Sequence, residues 1–118
     1  KPLPVDRQDD CLYLDWAPLI ALLTDAALPA GERAAGFHDR LAASMAAIAA
    51  QLRAKHGPFA VGLSGGVFQN RRLCEAALSR LQAAGFAVYL HSQVPSNDGG
   101  LCFGQCVEEW GRQLLARG

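Results

Sequence analysis

The stretch that most constrains this chain is the apolar run Phe59-Ala60-Val61-Gly62-Leu63 followed by Ser64-Gly65-Gly66-Val67-Phe68-Gln69-Asn70 and a helical pattern from about Arg71. It reads as strand, glycine turn, helix. A second junction of the same kind runs from Ala87-Val88-Tyr89-Leu90-His91 through Val94-Pro95-Ser96-Asn97-Asp98-Gly99-Gly100 into another helical pattern. If the intervening helix is a crossover, the two strands are parallel, because a connection of that length carries the chain back to the same edge. Both polar turns then lie at the carboxyl ends of neighbouring strands, where open α/β sheets take their ligands.

The crossover helix is expected over about 70–84, with Leu73, Ala77, Leu81 and Ala84 on one side and Gly85 as its stop. The last helix is expected over about 99–116, and Gly104 and Gly111 within it suggest close packing, since glycine costs a helix about 1 kcal/mol relative to alanine. Upstream, Leu12-Tyr13-Leu14 reads as a short strand. Pro18 opens a helix that presents Leu19, Leu22, Leu23 and Ala26 and stops at Pro29 and Gly31. A longer helix from about Glu32 to His56 carries Phe37, Leu41, Met45, Ile48 and Leu52 as its core stripe. Its flank of Ala42, Ala43, Ala46, Ala49 and Ala50 would admit a close neighbour. Residues 1–10, with two prolines, three aspartates and no periodicity, read as a linker or lead-in.

A chain of 118 residues has room for one small core. Its formal net charge of +0, without a basic stripe, argues against a nucleic-acid surface. No apolar run reaches the roughly 20 residues that span a bilayer, so a soluble, cytoplasmic protein without membrane partners is expected. The chain opens Lys1-Pro2-Leu3-Pro4, and its single methionine is Met45, as in a trimmed piece of a longer chain. Cys11, Cys74, Cys102 and Cys106 lack the spacing of a zinc knuckle or redox pair. They read as small buried hydrophobes, although Cys102 and Cys106 share a helix face that would suit two metal ligands.

At the edge itself, Gly65 and Gly66 remove side chains so that backbone amides can approach a phosphate or ribose; a tight structural turn explains them equally well. Asn70 is read first as a helix cap, or else as an amide presented to a nucleoside. Asp98 caps the last helix or serves as a hard metal ligand. His91 ends the second strand near the turns. His38, on the core side of the long helix, reads as a satisfied structural histidine.

Ser64-Gly65-Gly66-Val67-Phe68-Gln69-Asn70-Arg71 and Pro95-Ser96-Asn97-Asp98-Gly99-Gly100-Leu101, with Gly104-Gln105, closely resemble the carboxyl-terminal part of the HypF family of hydrogenase-maturation carbamoyltransferases. Leu14-Asp15-Trp16-Ala17-Pro18-Leu19 and Phe37-His38 resemble it too. The resemblance implies an α/β fold, part of an actin-like, Hsp70 and sugar-kinase (ribonuclease H-like) ATPase domain similar to TsaD, with a short parallel sheet and packed helices. Residues 11–118 would be the carboxyl-terminal half of that Kae1-like domain.

It further implies that the parent protein uses ATP and carbamoyl phosphate to form carbamoyl adenylate, and passes the carbamoyl group to the carboxyl-terminal cysteine of an acceptor protein, HypE, in nickel-iron hydrogenase maturation. Ser64, Gly65, Gly66, Asn70 and Gly99 would then face the nucleotide, and Asp98 would hold a divalent metal. The family's paired metal-binding histidines have no counterpart here, nor do its acylphosphatase, zinc-finger and adenylate-forming modules. A half-site without turnover of its own is therefore expected. A nucleotide-binding half of another kinase or ATPase of that fold, and a protein-docking module working through the alanine-rich helix, are the alternatives.

Overall fold

A computed structural model describes residues 1–117; Gly118, the last residue of the expected carboxyl-terminal span, lies outside them. Strand β1 (Val5–Gln8) and strand β2 (Cys11–Leu14) form an antiparallel hairpin. Helix α1 (Ala17–Thr24) follows, with Pro18 in its first turn and Asp15 Oδ1 accepting from the Ala17 amide at 2.9 Å. Helix α2 (Ala30–His56) is the longest element. Strand β3 (Val61–Leu63), a 3₁₀ turn (Gly66–Gln69), helix α3 (Arg71–Ala83) and strand β4 (Val88–Leu90) form the crossover unit. A second 3₁₀ turn (Asp98–Gly100) leads into helix α4 (Leu101–Arg117).

The parallel pairing expected of β3 and β4 is present, with Val61 opposite Val88, Gly62 opposite Tyr89 and Leu63 opposite Leu90. The core lies between α2, α3 and this pair. Leu41, Ala42, Ala49, Leu63, Leu73, Ala77, Leu81 and Phe86 are buried together. Gly85, at φ 80°, turns the chain from α3 into the strand. Arg53 fastens the far end of α2 to that turn, donating to the Ala84 carbonyl at 2.9 Å and lying 4.1 Å over the Phe86 ring.

Three expectations are corrected here. First, of the expected stripe only Leu41 is buried, with Phe37 and Met45 packed against the core, and the deepest positions of α2 also include Ala42, Ser44 and Ala49. Small residues let α3 approach, while Met45, Ile48 and Leu52 line an apolar concavity with Leu14, Phe59, Val61 and Phe68. Ala42 and Ala49 of the alanine flank are buried in the core with α3, the close neighbour that flank is expected to admit. Second, the lead-in contains β1, and Leu3 is buried, its amide donating 2.8 Å to Ser44 Oγ, which in turn donates 2.8 Å to the Arg40 carbonyl. Asp10 also pairs with Lys55 near the end of α2, which holds the Asp10 carboxyl below its ordinary range. Third, among the described residues nothing lies within 4 Å of a Cβ added at Gly104 or Gly111, so neither packs closely against them.

The last correction follows from the placement of α4. Leu101, Phe103, Val107, Trp110, Leu114 and Leu115 are all exposed along it. The radius of gyration, 17.3 Å, exceeds the roughly 13–14 Å of a compact domain of this length. Cys11, Cys102 and Cys106 are exposed and Cys74 is half-buried, so the cysteines are not the buried set expected.

Candidate functional site

The two glycine turns meet at the carboxyl ends of β3 and β4. The Gly65 amide donates to the Ser96 carbonyl at 2.7 Å, and an added Cβ at Gly66 would lie 3.8 Å from the Asn97 Cβ. His91 Nε2 and Ser64 Oγ are 2.9 Å apart, bridging the two strand ends through their side chains. Between them opens a concavity lined by Ser64, Gly65 and His91 on one side, Ser96, Asn97 and Asp98 on the other, and Gln105 and Glu108 from α4.

Local sequence explains each turn. Gly65 has φ 109° and ψ 154°, a region essentially confined to glycine. Gly100 is required by proximity, since a Cβ there would stand 2.6 Å from the Pro95 carbonyl oxygen. Asn97 caps the second turn, its Oδ1 accepting from the Gly99 amide at 3.0 Å. The capping role considered for Asp98 therefore belongs to its neighbour, and Asp98 is the exposed first residue of the turn.

Ser64, Gly65 and Asp98 thus share one opening, with Gly66 against its Asn97 wall. Asn70 and Gly99 are not among the lining residues. Asn70 sits beyond the first 3₁₀ turn as the cap of α3, its Oδ1 accepting from the Leu73 amide at 3.1 Å, as its first reading expects. The Gly65 and Gly99 amides already donate to Ser96 and Asn97, so neither stands free for a phosphate in this conformation. Arg71 is a solvated side chain paired with Glu75 at 2.7 Å, and that hydrogen bond raises its pKa.

His38 is the satisfied, half-buried histidine expected on α2, and what the sequence does not show is its partner. Its Nδ1 lies 2.7 Å from the Ala34 carbonyl and its Nε2 3.0 Å from Asn70 Nδ2. The contact spans 32 positions, and only the pairing of Phe37-His38 with the turn motif in one family hinted at it.

Asp98 can offer one carboxylate to a cation. Among the described residues, no group of three or more His, Cys, Asp or Glu side chains converges. The chain's described residues therefore do not make a complete metal site. Also among them, no helix is long and apolar enough to cross a membrane.

A parallel pair with both polar turns at its carboxyl edge defines an α/β unit, and residues 1–105 match the family described as carbamoyltransferase, Kae1-like domain, second subdomain. Curated relatives agree. The chain is 35% identical over 107 residues to the carbamoyltransferase HypF of Synechocystis sp., covering 90% of this chain and 13% of that one. It is 39% identical over 103 residues to that of Rhizobium leguminosarum bv. viciae, with 86% and 13% covered. Against that of Rhodobacter capsulatus it is 40% identical over 98 residues, with 80% and 12% covered. The chain belongs to the HypF carbamoyltransferase family. It spans 12–13% of the length of these three relatives. No solved structure matches it.

Proposed function

We infer that this chain forms one wall of a carbamoyl-transfer site in a larger protein of the actin-like, Hsp70 and sugar-kinase fold group, and that it does not turn over alone. The observation that carries the reading is the meeting of the Ser64–Gly66 and Ser96–Gly100 turns at one strand edge in a chain of a carbamoyltransferase family.

On this reading ATP and carbamoyl phosphate supply carbamoyl adenylate, and the acceptor is a carboxyl-terminal cysteine of a HypE-type protein in nickel-iron hydrogenase maturation. The acceptor sulfur, having released its proton to water, attacks the carbamoyl carbon. The bond from that carbon to the phosphate oxygen breaks, and AMP leaves with the electron pair. No covalent intermediate on this chain is needed, so its part is positioning and charge stabilisation. Ser64, Gly65 and Gly66 border the phosphate and ribose, and Asn70, beyond the first turn, addresses the nucleoside. Gly99, its amide held by Asn97, stays outside the opening. Asp98 and Glu108 both line the opening, and since Glu108 is paired with Arg112, Asp98 is the carboxylate left for a cation beside the phosphate. Asp98 would give that cation one oxygen ligand.

Asp98→Ala in the intact protein is expected to abolish transfer to the acceptor thiol while leaving the circular dichroism spectrum unchanged. Unchanged transfer would remove Asp98 from the mechanism. An ATP titration followed by amide NMR tests the edge itself: shifts confined to residues 64–70 and 96–100 support the reading, and shifts elsewhere sink it.

A further inference from the structure

The contact between His38 and Asn70 joins two elements that are distant in sequence, and its chemistry is determined by the groups on either side. Asn70 Oδ1 accepts from the Leu73 amide at 3.1 Å, so the carboxamide oxygen faces α3 and its NH₂ faces His38. That NH₂ can only donate, so His38 Nε2, 3.0 Å away, must be the acceptor and carry no proton. A neutral imidazole unprotonated at Nε2 carries its proton on Nδ1, and Nδ1 stands 2.7 Å from the Ala34 carbonyl, a pure acceptor. Each donor in this relay meets an acceptor, and the amide orientation and the histidine tautomer fix each other. The Phe37 ring meets the imidazole edge-on, with centroids 5.5 Å apart.

A cap alone needs only the oxygen of Asn70. The second anchor restrains rotation of the exposed carboxamide, with one N–H committed to His38 and the other uncommitted by this relay.

We propose that His38 is a positioning residue: it locks the Asn70 carboxamide so that its second N–H is held ready for an acceptor on the nucleoside of the bound nucleotide. The inference rests on the reading of Asn70 as a nucleoside contact. His38 touches no reacting atom. Its contribution is preorganisation, removing a side-chain rotation that the ligand would otherwise have to arrest.

The test uses the intact protein, with ATP as the probe. Asn70→Ala should weaken ATP binding about tenfold or more, the order of one lost hydrogen bond and its orientation. His38→Leu, which keeps bulk and removes the acceptor, should raise KM for ATP about fivefold to tenfold, with kcat held within about twofold. His38→Gln, whose Oε1 can stand where Nε2 stood, should restore KM to within about twofold of the parent value. In ¹⁵N NMR of the parent protein, His38 should show the Nδ1–H tautomer, and His38→Leu should shift the Asn70 side-chain NH₂ pair.

If Asn70→Ala leaves ATP binding unchanged, the nucleoside reading of Asn70 fails and the proposal with it. If Asn70→Ala weakens binding while His38→Leu does not, or if glutamine fails to restore it, the positioning role alone is overturned. An Nε2–H tautomer overturns it even should His38→Leu not fold.

Discussion

Helices α3 and α4 follow the same kind of turn, start at the same sheet edge and carry comparable apolar stripes, yet they end in opposite environments. Leu73, Ala77 and Leu81 of α3 are buried against α2, whereas Leu101, Val107, Trp110 and Leu114 of α4 face solvent among the described residues. Periodicity states which face of a helix is apolar and leaves open what covers it. The helix that closes the core is the one whose small Ala77 is buried in the same cluster as the equally small Ala42 and Ala49 of α2, where backbones can come close.

The largest effect expected from this contrast separates leucines. In the 118-residue chain, Leu73→Ala should cost about 2–5 kcal/mol in urea denaturation, by lost burial plus a cavity. Leu114→Ala, on the exposed stripe, should stay within about 0.5 kcal/mol. Equal losses would break the comparison and place α4 against a partner surface in solution.

Glycines sharpen it next, because the turn that starts α4 and the body of α4 demand opposite signs. Gly100→Ala would drive a Cβ to 2.6 Å from the Pro95 oxygen and should destabilise by about 1–3 kcal/mol. Gly104→Ala, with open space around it, should instead stabilise α4 by up to about 1 kcal/mol. A loss at Gly104 would show a face that something covers.

The smallest effect belongs to the hairpin. Asp10, fully exposed, is lowered from 3.8 by its hydrogen bond and charge pairing with Lys55. A carboxyl depressed in the folded state contributes above its unfolded pKa, and that contribution is lost as pH falls through the folded value. The pH dependence of stability below about pH 4 should therefore flatten slightly in Lys55→Gln, and added salt should mimic the substitution.

The parallel pair and both glycine turns were legible because strand length, glycine and crossover distance are local signals that agree with one another. Asn70 as a cap was legible for the same reason. The buried face of α2 was legible in part: Leu41 lay on the expected stripe, and Ala42 and Ala49 on the flank expected to admit a neighbour. The half-exposed setting of Ile48 and Leu52 was not, because hydrophobicity ranks them above the small residues that a neighbouring helix selects. Leu3 was hidden by the prolines around it, since the partner of its amide, the Ser44 hydroxyl, lies 41 positions away. His38 was legible as a satisfied histidine, but its partner Asn70 was not, because no periodicity encodes a single hydrogen bond across 32 positions.

The bond from the Gly65 amide to the Ser96 carbonyl makes one proton a clock for the whole edge. That hydrogen can exchange with solvent only when the two turns part. Its exchange rate therefore counts the openings of the cleft, and a ligand that seats on the joined turns would slow it, while one that must capture the amide for itself would first have to wait for an opening.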